Sequence, residues 1–303
     1  MHTTSHLLSN CILCPRKCST DRLSGQTGYC GMPADLLVAR AALHMWEEPC
    51  ISGSTGSGTV FFSGCNLKCV FCQNHSIALG DCGKAITIQR LAEIFLELQE
   101  KGAANINLVT PTHYVPQIRD ALLLAKKNGL LLPIVYNTGG YESVEVLQLL
   151  EGLVDIYLPD LKYYSAELSS AYSHAEDYFQ VATAAIAEMY RQVGAPIFDK
   201  GNGMMKRGMI VRHLVLPGQT KDSKKVLRYL YETFGDHIYI SIMNQYTPLP
   251  HVAHIPALNR RVTAAEYDRV VNFALRLGIP NAFIQEGETA EESFIPPFDM
   301  EGV

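Results

Sequence analysis

Six short runs rich in β-branched and aromatic residues alternate with stretches of helical period, and that alternation limits what the chain can fold into. The runs are TVFFSG (Thr59 to Gly64), NINLVT (Asn105 to Thr110), PIVYNT (Pro133 to Thr138), DIYLPDLK (Asp155 to Lys162), MIVRHLVL (Met209 to Leu216) and IYISIMNQY (Ile238 to Tyr246). Between them, Thr87 to Gly102 sets Ile88, Leu91, Ile94, Phe95 and Leu98 on one helical stripe. Val115 to Asn128 stops at Gly129, a residue suited to a left-handed cap, and Thr263-x-x-Glu266 opens a last helix with a capping box. Such alternation implies an α/β fold of parallel strands joined by right-handed crossovers. Six or so units are too few for a closed eight-fold barrel, so a partial barrel or a doubly wound sheet is expected. In either fold the chemistry sits in loops at the carboxyl ends of the strands.

Cysteine usage divides the chain differently. All nine cysteines precede residue 83. Residues 1–50 read as a cysteine-rich extension with little apolar periodicity, ISGSTGSG (Ile51 to Gly58) as a flexible joint, and residues 51–303 as the α/β unit with a C-terminal helix and tail. A net charge of −5 gives no footprint for nucleic acid, and the short basic run Lys221 to Lys225 reads as a solvated helix start. No apolar run reaches membrane-spanning length, and the N-terminus lacks the pattern of a secretory signal. The expectation is a cytoplasmic protein, where cysteines serve as metal ligands or catalytic groups before they serve as disulfides.

The first strand-like run leads into GCNLKCVFCQN, which holds Cys65, Cys69 and Cys72 within eight residues. Its polar neighbours argue against inert buried thiols. A redox dithiol would need only Cys69 and Cys72, and a zinc site with three protein ligands would keep one position for water. The remaining alternative, a [4Fe–4S] cluster on three thiolates, leaves one iron free for a substrate and accounts for the number three.

CxxxCxxC with Phe71 before its last cysteine resembles the signature of the radical S-adenosylmethionine (SAM) superfamily. GSGTVFFSGCNLKCVFCQN, VYNTGG, VDIYLPDLK and VRHLVLPG follow in the order found in activating enzymes of pyruvate formate-lyase, so the likeness runs from about Gly56 to Tyr246. The resemblance implies a partial (β/α)6 barrel, a [4Fe–4S] cluster, reductive cleavage of SAM and hydrogen abstraction from a substrate. Its most concrete form is the generation of a glycyl radical on a partner enzyme, with flavodoxin or a ferredoxin-type protein as electron donor. Radical modification of another peptide, a nucleoside or a small molecule is the alternative, and a non-catalytic Fe–S or zinc scaffold is the rival from another class.

The resemblance also implies a cofactor-binding set: Phe71 and Asn74 beside the cysteines, Asn137 and the Asp160-x-Lys162 pair. Arg212 joins it as a charge in an otherwise apolar strand, which must face the cavity or pair there because burial alone would cost several kcal/mol. The family's Gly-Gly-Glu motif for the methionyl amine is replaced here by Thr110-Pro111-Thr112-His113, which offers Thr110 and Thr112 as neutral partners. Residues two apart on a strand share a face, so Asp160 and Lys162 can both aim into the barrel mouth, with Lys162 the partner for the methionine carboxylate and Asp160 for the ribose or a cation; a strand-end ion pair is the alternative. Asn137 stands where the family commonly has an aspartate, and Gln245 or Tyr246 near its histidine, so a cation site of the family's kind is not expected.

Cys11, Cys14, Cys18 and Cys30 form a second group with the spacing of a closed four-thiolate site, for which structural zinc and a second Fe–S cluster are the alternatives, and four unligated thiols in a flexible arm the reading without a metal. Cys50 and Cys82 read as bystanders, and the acidic QEGETAEESF (Gln285 to Phe294) as an edge or lid.

Overall fold

A computed structural model describes residues 2–285 and 296–303, with side chains described from His6 onward. In chain order the elements are α1 (His2–Ser9), β1 (Leu36–His44), α2 (Pro49–Ser52), β2 (Ser57–Phe62), α3 (His75–Leu79), β3 (Lys84–Ile86), α4 (Ile88–Glu100), β4 (Ile106–Val109) and α5 (Val115–Lys127). They continue with β5 (Ile134–Thr138), α6 (Val144–Leu147), β6 (Ile156–Pro159), α7 (Ala166–Ser173), α8 (Tyr178–Val193), β7 (Ile197–Phe198), β8 (Met205–Leu214), α9 (Thr220–Phe234), β9 (Tyr239–Met243), α10 (Ala264–Leu277) and β10 (Ala282–Ile284).

The strands form one open sheet in the order β10-β9-β8-β6-β5-β4-β2-β1-β3, with β7 beside β8. From β2 to β10 along that path every pairing is parallel. The architecture is thus α/β with a mostly parallel open sheet, consistent with a partial barrel. β2, β4, β5 and β6 are buried along their whole length, as strands covered on both faces must be. The helices behave as their sequences predict. Thr87 caps α4 through the Arg90 amide, and Leu91, Ile94, Phe95 and Leu98 face the core. The capping box at Thr263 and Glu266 is present at α10. Among the described residues no helix is long and apolar enough to cross a membrane.

Two local expectations are corrected. Leu36–His44, read as an aperiodic part of the extension, is a nine-residue strand paired antiparallel with β2 and with β3. Its central Arg40 obscures the strand pattern, and the C-terminal tail resolves that charge: Arg40 donates to Asp299 at 2.7 Å, while the Ala41 amide bonds the Glu301 carbonyl at 2.8 Å. Ile51 to Gly58 is not a loose joint either, because Ile51 and Ser57 are fully buried and the segment spans α2 and the start of β2. Leu8, Leu13 and Met32 of the N-terminal segment join the main apolar core. Apart from Gln285, the acidic stretch expected as an edge or lid lies outside the described residues.

Candidate active site

Cys65, Cys69 and Cys72 occupy the loop from the carboxyl end of β2 to α3, and all three line a cavity of about 550 Å³. Phe71, Asn74, Thr110, Asn137, Asp160, Lys162 and Arg212 line the same cavity. Strand–helix alternation is what gathers them, since they follow or lie near the carboxyl ends of five parallel strands, β2, β4, β5, β6 and β8. Thr112 is not brought in: its hydroxyl donates to the buried Glu142 carboxylate at 2.5 Å, behind the cavity wall. His113 is also a core residue, with Nε2 on the Ser63 carbonyl at 2.7 Å and burial lowering its pKa to about 3.

The cysteine loop is pinned from several sides. Phe71 is buried edge-on against Tyr163, Tyr172 and Tyr246. Arg16, from the N-terminal segment, donates to the carbonyls of Asn66 at 2.9 Å and Ser173 at 3.1 Å, and also to that of His174. Its guanidinium stacks over Tyr29 at 4.0 Å, and the Tyr29 hydroxyl donates to the Leu67 carbonyl at 3.3 Å. Ser173 donates to Cys69 Sγ at 3.0 Å. Burial pushes the Cys72 thiol up, and the neighbouring Cys69 and Cys65 add to this while Lys162 opposes it. Three thiols on one loop, with burial raising those of Cys69 and Cys72, are a donor set whose chemistry a compensating soft metal centre suits.

The expected Asp160, Lys162 and Arg212 belong to a charged network in the same cavity whose other members, Glu47 and Glu48, the sequence did not reveal. Arg212 pairs with Glu47 at 2.8 Å, donates to Asn137 Oδ1 at 2.5 Å and lies 3.4 Å from Asp160. Asp160 also pairs with Lys162. Glu47 further accepts from Asn107 at 2.8 Å and Asn137 at 3.3 Å. Burial alone would lower the pKa of Lys162 and of Arg212. The carboxylates win: Asp160 drives Lys162 up, and Glu47, Glu48 and Asp160 drive Arg212 up. Burial raises Glu48, Arg212 pulls it back and Glu47 adds to the rise. Glu48 Oε2, Asp160 Oδ1 and Arg212 Nε are buried and make no hydrogen bond, although Arg212 Nε faces Asp160 Oδ1 at 3.4 Å and Arg212 Nη1 lies 4.0 Å from Glu48 Oε2, and all three residues line the cavity. Buried charged atoms with unfilled hydrogen-bonding capacity in a cavity wall fit a site that holds a polar ligand such as SAM.

Glu142 is the other residue the sequence reading missed. Its carboxylate accepts from Thr112, Thr138 and, at 3.2 Å, Tyr136, with no cation among those partners. Burial raises it to about 7 against the opposing hydroxyl bonds. The signal was the TGGYE segment: at Gly140, with φ 82°, a Cβ would stand 2.2 Å from the Asp160 carbonyl oxygen, so the turn before Glu142 admits only glycine beside Asp160. Thr110 also adopts a left-handed φ of 58° while its amide bonds the Asn137 carbonyl at 2.9 Å, a strained residue in the cavity wall.

In the N-terminal segment, burial pushes the Cys14 thiol up to about 12 although the Arg16 amide donates to it, and Cys30 and Cys11 add to the rise. Burial likewise raises Cys30, which takes the Met32 amide and is raised further by Cys11 and Cys18. The Tyr29 amide donates to Cys18 Sγ at 3.2 Å, and a Cβ at Gly28 would meet that sulfur at 2.7 Å. The four thiols are neighbours, and backbone amides serve three of them. Among the described residues, no three His, Cys, Asp or Glu are gathered into a ready-formed metal site. Cys50 and Cys82 do not line the cavity.

Comparison with known proteins agrees with this geometry. The chain is 28% identical over 281 residues to an uncharacterized protein of Methanocaldococcus jannaschii, covering 89% of this chain and 75% of that one. Its fold is similar to a radical SAM methyltransferase from Sphaerobacter thermophilus (TM-score 0.53, 17% identity, 77% of this chain and 67% of that one). It is also similar to SuiB of Streptococcus suis bound to S-adenosylmethionine (TM-score 0.51, 11% identity, 74% of this chain), of whose length it spans about half, 49%. The family model described as the radical SAM superfamily matches residues 59–230, more than half of the sequence. The chain therefore belongs to the radical SAM superfamily.

Proposed function

We propose that this chain is a radical SAM enzyme that abstracts a hydrogen atom from a protein substrate, most concretely the glycine of a partner enzyme's radical loop. The family implies a [4Fe–4S] cluster and SAM. Cys65, Cys69 and Cys72 are the proposed ligands, leaving one iron for the methionyl group. Bound there, the cluster would supply the electron, drawn from a flavodoxin or ferredoxin-type donor, for reductive cleavage of SAM to methionine and a 5′-deoxyadenosyl radical.

The chain's own residues have separable tasks. Lys162 holds the methionyl carboxylate, and Asp160, already paired with Lys162, keeps that ammonium aimed at it. Thr110, Asn137 and Asn74 offer neutral partners to the amine and ribose. Phe71, locked by three tyrosines, excludes water from the thiolate side. Arg212 fixes Asn137 and Asp160 through its own ion pairs, so the polar wall is ordered before a ligand arrives. Cys11, Cys14, Cys18 and Cys30 are proposed to bind a structural metal, zinc or a second cluster, that shapes the segment carrying Arg16.

The observation that carries the reading is one cavity joining three thiols of a single loop to the Asp160, Lys162 and Arg212 side chains. A protein substrate is favoured by the cavity's rim, where Met45 and Trp46 are 45% and 58% exposed, the residue types enriched at protein interfaces. Anaerobic incubation of the iron- and sulfide-loaded protein with reductant and SAM tests the first part. The expected product is 5′-deoxyadenosine, absent with the Cys69→Ala variant; intact SAM over a fully loaded, reduced cluster would favour a scaffold instead. A glycine-centred radical signal on a candidate partner tests the second part.

A further inference from the structure

Cys65 and Cys72 receive hydrogen bonds from their own loop, through the amides of Leu67 at 3.4 Å and of Asn74. Cys69 differs. Its sulfur accepts from the side chain of Ser173, 104 residues away at the end of α7. Ser173 in turn meets the Tyr163 hydroxyl at 2.7 Å, and both residues are 0% exposed. A serine hydroxyl carries one proton. Because that proton is directed at Cys69 Sγ, Tyr163 must be the donor to Ser173 Oγ, which makes a two-bond chain pointing at the sulfur. The Ser173 carbonyl is also held by Arg16, so the end of α7 is fixed on both sides of the hydroxyl.

We propose that Ser173, oriented by Tyr163, is a positioning residue that raises the reduction potential of the cluster through its hydrogen bond to Cys69. The inference rests on the assignment of Cys65, Cys69 and Cys72 as cluster ligands. Adding an electron puts negative charge on the sulfurs, so a donor aimed at one of them stabilises the reduced state more than the oxidised state. Ser173 and Tyr163 are fully buried, where such a bond is strengthened and where the tyrosine polarises the serine. It is also the only one of these three sulfur contacts that a side-chain substitution removes while leaving the loop backbone unaltered.

The test is an anaerobic redox titration of the fully loaded protein, followed by the spin-half signal of the reduced cluster. Ser173→Ala is expected to shift the midpoint to more negative potential by about 59 mV, a tenfold change in the one-electron equilibrium. Tyr163→Phe keeps Ser173 and loses only its orientation, so it is expected to shift the midpoint in the same direction by less. Ser169→Ala serves as the control, because that buried serine sits on α7 and its hydroxyl donates to the Ala166 carbonyl on its own helix at 3.1 Å. It is expected to leave the potential unchanged, whereas a purely structural effect of α7 would move it too. Equal potentials for wild type, Ser173→Ala and Tyr163→Phe at full cluster occupancy, or a positive shift, would overturn the inference. Failure of the wild type to take up any four-iron cluster would instead overturn the ligand assignment beneath it.

Discussion

Replacing Glu142 with glutamine isolates the least expected group beside the site. The carboxylate is 2% exposed and held by three hydroxyls, and burial raises it from the ordinary 4.5 to about 7. At about 1.4 kcal/mol per pH unit, ionising it inside the fold costs on the order of 3 kcal/mol relative to the unfolded chain. The sign follows from the direction. Below pH 4.5 the group is protonated in both states and costs nothing. Between 4.5 and about 7 the unfolded chain releases its proton while the fold retains it, and stability falls as pH rises; above about 7 the full penalty is in place. Glutamine keeps the shape without the charge and is pH-independent, so Glu142→Gln should gain stability relative to wild type by about 3 kcal/mol more at pH 8 than at pH 4. Urea unfolding of both proteins at the two pH values measures that difference, and other titrating groups cancel between them. No difference, or a variant that loses ground at high pH, would mean that the three hydroxyls hold a stable anion and that burial does not dominate.

Arg212→Leu strands Glu47, Glu48 and Asp160 around an apolar side chain, and a loss of about 3–5 kcal/mol in urea unfolding is expected, partly recovered by adding Glu47→Gln. Gly140→Ala places a Cβ against the Asp160 carbonyl at a left-handed φ, so it should cost at least about 1–2 kcal/mol by thermal unfolding, whereas Gly152→Ala, with the same sign of φ and open space, should lack the added clash. Arg16→Ala removes three carbonyl contacts to the cysteine loop and the end of α7, so iron should leave the loaded protein faster under chelator challenge than it leaves wild type.

What the sequence made legible is what is local. Cys65, Cys69 and Cys72 lie on one loop, and the strand before them is a contiguous apolar run, so both their identity and their place at a strand end could be read directly. Asp160 and Lys162 were legible through the family's Asp-x-Lys arrangement and lie just past the end of β6, and Arg212 through the cost of a charge in an apolar strand. What was hidden depends on distant partners. Glu47 reaches Arg212 across 165 residues, and nothing in HMWEEPC says that its acids will face a cavity. β1 escaped because its alanines and Arg40 carry little strand character by themselves; it is stabilised by β2, β3 and the tail. Thr112 sits one turn from Thr110, but the left-handed backbone at Thr110 and the pull of Glu142 turn its hydroxyl away from the cavity.

The central claim is that three thiolates leave one iron open to SAM. Its most direct measurement is the electron paramagnetic resonance spectrum of the reduced, iron-loaded protein, recorded before and after SAM is added without oxygen. A four-iron signal that changes shape on addition is predicted, with the change retained when Cys11 and Cys14 are replaced. A signal indifferent to SAM, or a loop that binds only a single tetrahedral ion, would contradict it.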